Sequence, residues 1–332
     1  MNDNCSIIIR AYNEEEHIGR LLFGILQQTV QDIQIVLVDS GSTDATVSIA
    51  SRYPVDIVQI RPQDFTFGRS LNMGISKAEA EFIVIASAHV YPVYPDWLEL
   101  MLAPFKEPAV ALTYGKQRGA EQSHFSEYQY FHNLYPDVSR SNQEHPFCNN
   151  ANTAIRRSLW EQRPYDEKLP GLEDLDWARW AQQQGHEIVY VPGAEIIHIH
   201  QESWKGVYNR YRREAMAFKH IYPQESFGLY DLIRIWSGNS FNDLRIAAQQ
   251  KKLSANWMDI LRFRWMQFWG TYKGYRQSGS LTWELRKVFY YPRMNHIESI
   301  EVPERVHEPI RYAGCSEISH LENNSKTNQE AG

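Results

Sequence analysis

Cysteine is scarce: the chain has three, Cys5, Cys148 and Cys315, far apart and with no C-x-x-C spacing. That pattern indicates neither a disulfide framework nor a zinc ribbon, and a reducing compartment is the simplest setting for it. No apolar run approaches the roughly 18–20 residues that a bilayer span requires, so no transmembrane helix is expected. The N-terminus carries Asp3 and moves straight into an apolar stretch, so no signal peptide is expected. No G-x-G-x-x-G follows that stretch and no Walker lysine motif occurs. A dinucleotide-binding Rossmann domain and a P-loop therefore lack their phosphate fingerprints.

What is present fits a globular protein. In 332 residues, 43% are hydrophobic and 22% charged, enough for one large α/β domain or two ordinary ones. The net charge of −6 conceals an asymmetry, because residues 203–293 hold 16 Lys/Arg against 6 Asp/Glu and six of the ten tryptophans. Composition thus divides the chain into 1–202, a basic and aromatic-rich helical extension at 203–300, and a polar tail at 301–332. The tail has little to bury and is expected to be disordered.

"SIIIR" (6–10), "IQIVLV" (33–38), "VDIVQI" (55–60), "FIVIA" (82–86) and "AVALTY" (109–114) are short, β-branched runs bounded by polar residues, as buried strands are. Helical patterns lie between them at 14–28, 43–52 and 69–80, with Ser42 or Thr43 as the cap of the second. This alternation predicts an α/β fold with a mostly parallel sheet covered by helices on both faces. Ligands in such sheets bind beyond the carboxyl ends of the strands, which directs attention to the residues following each one.

Five segments, "SIIIRAYNEEEHI", "VLVDSGSTDAT", "GRSLNMGI", "CNNANTAIRRSLW" and "GLEDLDWARW", occur in that order. Together they resemble family-2 glycosyltransferases, enzymes of the GT-A fold, from residue 5 to about residue 200. The resemblance implies roles for matching positions. Tyr12 would lie against the base of a nucleotide sugar, with Asn13 and Glu14 beside it, and Asp39 would accept a hydrogen bond from a base N–H. Arg69 would reach the nucleotide. Of Asn149, Asn150 and Asn152, any could bond sugar hydroxyls or phosphates, and Asn152 is included in the donor site. Asp174 would be the base that takes the acceptor's proton in an inverting transfer, and Glu173 would orient the acceptor. Without the resemblance, acids in the first turn of a helix need no function, since they favour the helix dipole by about 0.3–1 kcal/mol each.

The family's usual Asp-x-Asp, which holds a divalent ion on the diphosphate, is replaced by Ser87-Ala88-His89. Ser87 can still bond a ribose hydroxyl, and His89 can ligate through a neutral ring nitrogen. His198 and His200 alternate on one strand and are further candidate ligands. An imidazole-rich set suits Mn²⁺ better than Mg²⁺. The alternative is metal-independent chemistry, with Arg69, Lys205, Arg210 or Arg212 meeting the charge.

The basic, aromatic extension fits an anionic membrane surface, sugar stacking or plain helical packing, and no RNA- or DNA-binding motif accompanies it. The combined expectation is a cytoplasmic enzyme, peripheral at the inner face of the membrane, that moves a sugar from a nucleotide sugar to a surface-glycan or lipid-linked acceptor. The alternatives are a catalytically degenerate nucleotide-sugar-binding subunit, which Ser87 favours and the Glu173-Asp174 pair opposes, and a nucleotidyltransferase. The latter would need a glycine-rich signature that "RAYNEEEH" does not have.

Overall fold

A computed structural model describes residues 4–119, 123–139, 143–199, 203–276 and 307–312. The first strand, β1 (Cys5–Ala11), is buried on both faces, and its side chains sort by alternation. Ile7 and Ile9 enter one core layer with Ile35, Leu37 and Val84, while Ile8 enters the other with Val36, Val38, Ile83 and Ile85. Helix α1 (Ile18–Leu26) closes the first layer through Ile18, Leu21, Leu22 and Ile25. Strand β2 (Ile33–Asp39) is followed by a short α2 (Thr46–Ala50), β3 (Asp56–Gln59) and α3 (Phe67–Ile75). Helix α3 closes the second layer through Leu71 and Ile75.

The strands β4 (Phe82–Ser87), β5 (Val90–Pro92), β6 (Val110–Gly119), β7 (Asn152–Arg156) and β8 (Glu187–His198) complete one eight-stranded sheet in the order β3-β2-β1-β4-β7-β6-β8-β5. Pairing is parallel from β3 to β4, then antiparallel on both sides of β7, parallel between β6 and β8, and antiparallel at β5. The expected parallel arrangement therefore describes the first half of the sheet, and the second half is mixed. Helices α4 (Trp97–Leu102), α5 (Phe125–Leu134), α6 (Arg157–Gln162) and α7 (Glu173–Gln183) fill the connections.

The helices after β1 and β2 are shorter than their patterns predict, and the loops explain the difference; α3 begins before its pattern and ends short of it. Asn13, at φ +55°, accepts from the Thr43 N–H through Oδ1, and its own N–H donates to Ser42 Oγ. Glu15 likewise accepts from the Ala45 N–H. Ser42 and Thr43, expected to cap a helix, are thus engaged by the first loop. The helix begins three residues later, where Asp44 Oδ1 accepts from the Thr46 N–H.

Beyond the sheet, α8 (Trp204–Ile221), α9 (Leu229–Gln249) and α10 (Leu253–Tyr275) form a helical layer against α5. Gly270 and Gly274 let α10 lie directly on α8, since a Cβ at either position would fall 2.4 Å from the carbonyl oxygen of Tyr208 or Arg212. Much of the basic, aromatic content is spent inside this layer. Arg264 is buried, ion-paired to Asp243 at 2.8 Å, and also donates to Gln267 and the Ser126 carbonyl. Trp236, Trp265 and Trp269 pack in series at ring separations of 5.6 Å. Tyr230, Phe241, Trp257 and Met258 remain exposed. Among the described residues no helix is long and apolar enough to cross a membrane.

One piece of the tail expected to be disordered docks on the sheet. The Ile310 N–H donates to the Val93 carbonyl at 2.9 Å, and Tyr312 sets its ring edge-on to Phe23 and Tyr91. The rest of 301–332 lies outside the described residues.

Candidate active site

A cavity of about 430 Å³ opens at the carboxyl ends of β1 and β4, roofed by the N-terminus of α7 and by α8. The parallel half of the sheet supplies Arg10 from β1 and Ser87 from β4, with His89 two residues on. The turn before β7 adds Asn149 and Asn150. Three acids occupy the first turn of α7, and their partners divide them. Asp176 turns away to Arg163 at 2.6 Å, fixing the helix, while Glu173 and Asp174 line the cavity.

Leu172, immediately before the pair, holds a left-handed conformation at φ +56°, ψ 28°. A non-glycine residue there costs on the order of 1 kcal/mol and persists only where packing imposes it. Leu172 packs on the core cluster that α7 shares with the helical layer, which supplies that constraint.

Glu173 accepts from Arg10 Nη1 at 3.1 Å and from Asn150 Nδ2 at 3.4 Å. Asp174 accepts only backbone N–H groups among its described partners, from Asn150 at 3.0 Å and from Leu175 at 2.8 Å. Burial, and then the charge of Glu173, push the Asp174 carboxyl up to about 7, against the pull of these donors and of Arg10. The nearby Cys148 thiol is held neutral, raised well above its ordinary range by burial and by both acids. Burial also lowers the His17 imidazole at the rim of the cavity.

His89 Nδ1 pairs with Glu14 Oε1 at 2.8 Å, and the His89 ring stacks on His198 with centroids 5.1 Å apart. Glu14 thus lines the cavity paired with the histidine. His198 is buried and pairs through Nδ1 with Gln117 Oε1 at 2.8 Å. His200 lies outside the described residues. Among the described residues no three His, Cys, Asp or Glu side chains form a metal cage.

Several expected donor residues stand elsewhere. Asn152 is fully buried, with its Oδ1 accepting from Trp97 Nε1 and its Nδ2 donating to the Lys116 and Ala194 carbonyls. Every described bond it makes is internal, so it joins β7, α4, β6 and β8 and does not face the cavity. Arg69 is exposed on α3 and does not line the cavity. The side chain on that side of the cavity is Phe67, whose ring carries the guanidinium of Arg10 at 4.9 Å and that of Arg213 at 4.6 Å. Asp39 is buried below the rim, with its carboxylate accepting from the Gly41 and Ser42 N–H groups of its own turn. Tyr12, by contrast, is 56% exposed.

Arg10 and Arg213 were not legible as site residues. A basic residue closing an otherwise apolar strand is a usable signal for Arg10. For Arg213 the signal is helical spacing, since Arg210, Arg213 and Glu214 share one face of α8 and all line the cavity.

Residues 6–163 match the family model "Glycosyl transferase family 2". The O-antigen chain rhamnosyltransferase RfbN of Salmonella typhimurium is 25% identical over 218 residues, covering 62% of this chain and 69% of that protein. The O-antigen chain rhamnosyltransferase WbaN of Salmonella anatum is 28% identical over 218 residues, with the same coverage. In architecture the chain resembles the mannosyltransferase PcManGT from Pyrobaculum calidifontis in complex with GDP-Man and Mn²⁺. The TM-score is 0.54 at 18% identity, over 82% of this chain and 84% of that one. S. aureus TarS 1–349 in complex with UDP aligns with a TM-score of 0.51 at 17% identity, over 82% and 91% of the two chains. The protein is a glycosyltransferase of the GT-A fold, in which residues 6–163 are similar to family 2.

Proposed function

We propose that the protein transfers a glycosyl group, with inversion, from a nucleotide sugar to a hydroxyl of a surface-glycan or lipid-linked acceptor, with Asp174 as the base. The observation that carries this reading is the Asp174 carboxylate: it lines the cavity, two backbone N–H groups hold it, and its affinity for a proton is raised to about 7. A base whose pKa lies near working pH is ionised enough to accept a proton and basic enough to want one. The acceptor oxygen attacks the anomeric carbon as its proton passes to Asp174. The bond from that carbon to the diphosphate oxygen breaks, and the diphosphate departs with the electron pair. Glu173, steadied by Arg10, orients the acceptor.

The nucleotide extends out of the cavity over the neighbouring ends of β1 and β2, near Tyr12, Asn13 and Asp39, with Ser87 toward the ribose. The likeness to O-antigen chain rhamnosyltransferases supports a growing surface glycan as acceptor and a deoxyhexose as one donor class.

The residues present fit a divalent ion shared with the substrate. A carboxylate bonded to one nitrogen of an imidazole is the arrangement that orients the other nitrogen toward a metal, and Glu14 and His89 make that pair. His89 would hold the ion, Glu14 would orient it, and diphosphate oxygens would supply most of the remaining ligands. The Mn²⁺ held by PcManGT is consistent with this. When bound, the ion would supply positive charge to the leaving diphosphate. His198, tied to Gln117, then serves as the stacking support of His89.

The test is the configuration of the product. Incubation with GDP-mannose, UDP-N-acetylglucosamine and a nucleotide-activated rhamnose, each with a glycan acceptor, should give one new glycosidic bond. NMR should show its anomeric centre opposite to the donor's. Retention, or no transfer from any donor class, removes the proposal.

A further inference from the structure

The cavity holds three arginines, and their partners distinguish one. Arg10 is bound to Glu173, and Arg210 donates to the buried Glu127 at 2.6 Å. Arg213 has no carboxylate partner among the described residues, and its Nε is buried with no hydrogen-bond partner. Its guanidinium lies over Phe67, 4.6 Å from the ring centroid, and it sits beside Gly171, where a Cβ would come within 3.6 Å of Nε. Arg213 is half-buried, so its charge is partly withdrawn from water with no anion beside it among the described residues. Stacking on Phe67 holds the guanidinium at the cavity wall.

We propose that Arg213 binds the departing diphosphate and supplies a fixed positive charge there, beside whatever charge an ion at His89 brings and in place of the surface-facing Arg69. This rests on the glycosyl-transfer reading above, and it assigns the role to a residue on α8, beyond the segment that matches the family model. Negative charge grows on the diphosphate as its bond to the anomeric carbon breaks, and a guanidinium meets phosphate oxygens with paired, charge-assisted hydrogen bonds. Because Arg213 is preplaced on a packed helix, it need not reorganise as that charge appears. Arg10, which also lies over the Phe67 ring, stays committed to Glu173. The two guanidiniums thereby separate acceptor and leaving-group duties.

The experiment compares wild type, Arg213→Gln and Arg213→Lys by calorimetric titration with UDP, GDP and dTDP and with the matching monophosphates, alongside thermal melting. Arg213→Gln should weaken the diphosphate that wild type binds by about ten- to a hundredfold and leave the monophosphate within about threefold. Transfer should slow by more than binding weakens. Arg213→Lys should fall between, because the charge remains and the fork is lost. Diphosphate affinity and turnover unchanged in Arg213→Gln would overturn the inference and leave the transfer reading standing. If Arg213→Gln does not fold, an unaltered diphosphate affinity in Arg213→Lys overturns it. Wild type that binds none of the diphosphates removes the transfer reading and this inference together.

Discussion

Glu173 and Asp174 are neighbours in one helical turn, but they meet different surroundings. Glu173 has the Arg10 guanidinium, whereas Asp174 has only peptide N–H groups and the adjacent negative charge. Two neighbouring carboxyls with such different partners can take different roles in one site. The sign for each property follows. A carboxyl raised to about 7 is mostly protonated below that pH, so the base is missing there and activity should rise with pH through about 7. For stability the direction is opposite. The group favours the fold while protonated, and that contribution is lost as pH climbs from the ordinary carboxylate range to about 7. Glu173→Gln removes one of the two causes that raise Asp174, and releases Arg10, whose charge lowers it. The acid limb of kcat/KM should therefore move to lower pH, by about one unit, even though turnover falls. A limb that stays in place would show that the titrating group is not Asp174.

At the scale of elements, β1, β2, β4 and β6 were legible because each is a continuous apolar run that the sheet buries, and β3 was legible from its β-branched residues although it is a partly exposed edge strand. Helix ends were less legible. Side chains such as Asn13, Glu15 and Asp44 hold loop backbone that a periodic pattern alone assigns to helices. Nor could the sequence rank Asn149, Asn150 and Asn152. Only register decides, since Asn152 is the first residue of β7, paired with Ala86 in the sheet interior, and its neighbours belong to the turn. This correction has its own check. Asn152→Ala leaves the Trp97 indole N–H without its acceptor and two buried carbonyls without their donor. Stability should drop by roughly 2–4 kcal/mol, read from denaturant unfolding, with nucleotide affinity of the folded variant unchanged. A selective loss of nucleotide affinity at normal stability would return Asn152 to the donor site.

Over the whole molecule, the cavity is made by two parts that composition separates near residue 200. The α/β sheet brings Arg10, Ser87, His89 and the acids of α7, and the helical layer contributes Arg210 and Arg213. Motif order gave the first set except Arg10, while of the second set the sequence pointed only to Arg210, and only as an alternative to a metal. The second set depends on how α8 lies across the sheet, held by its glycine contacts with α10 and by the Arg210–Glu127 pair. Packing between distant segments leaves little trace in local sequence. In the assembled site one group carries the account, and a single substitution isolates it. Asp174→Asn keeps the size and one of the two backbone acceptor bonds but cannot take the acceptor's proton. Measured in purified, folded variant and wild type, transfer should fall at least about a hundredfold while the dissociation constant for the nucleoside diphosphate stays within about twofold. Near-normal turnover by Asp174→Asn would contradict the account.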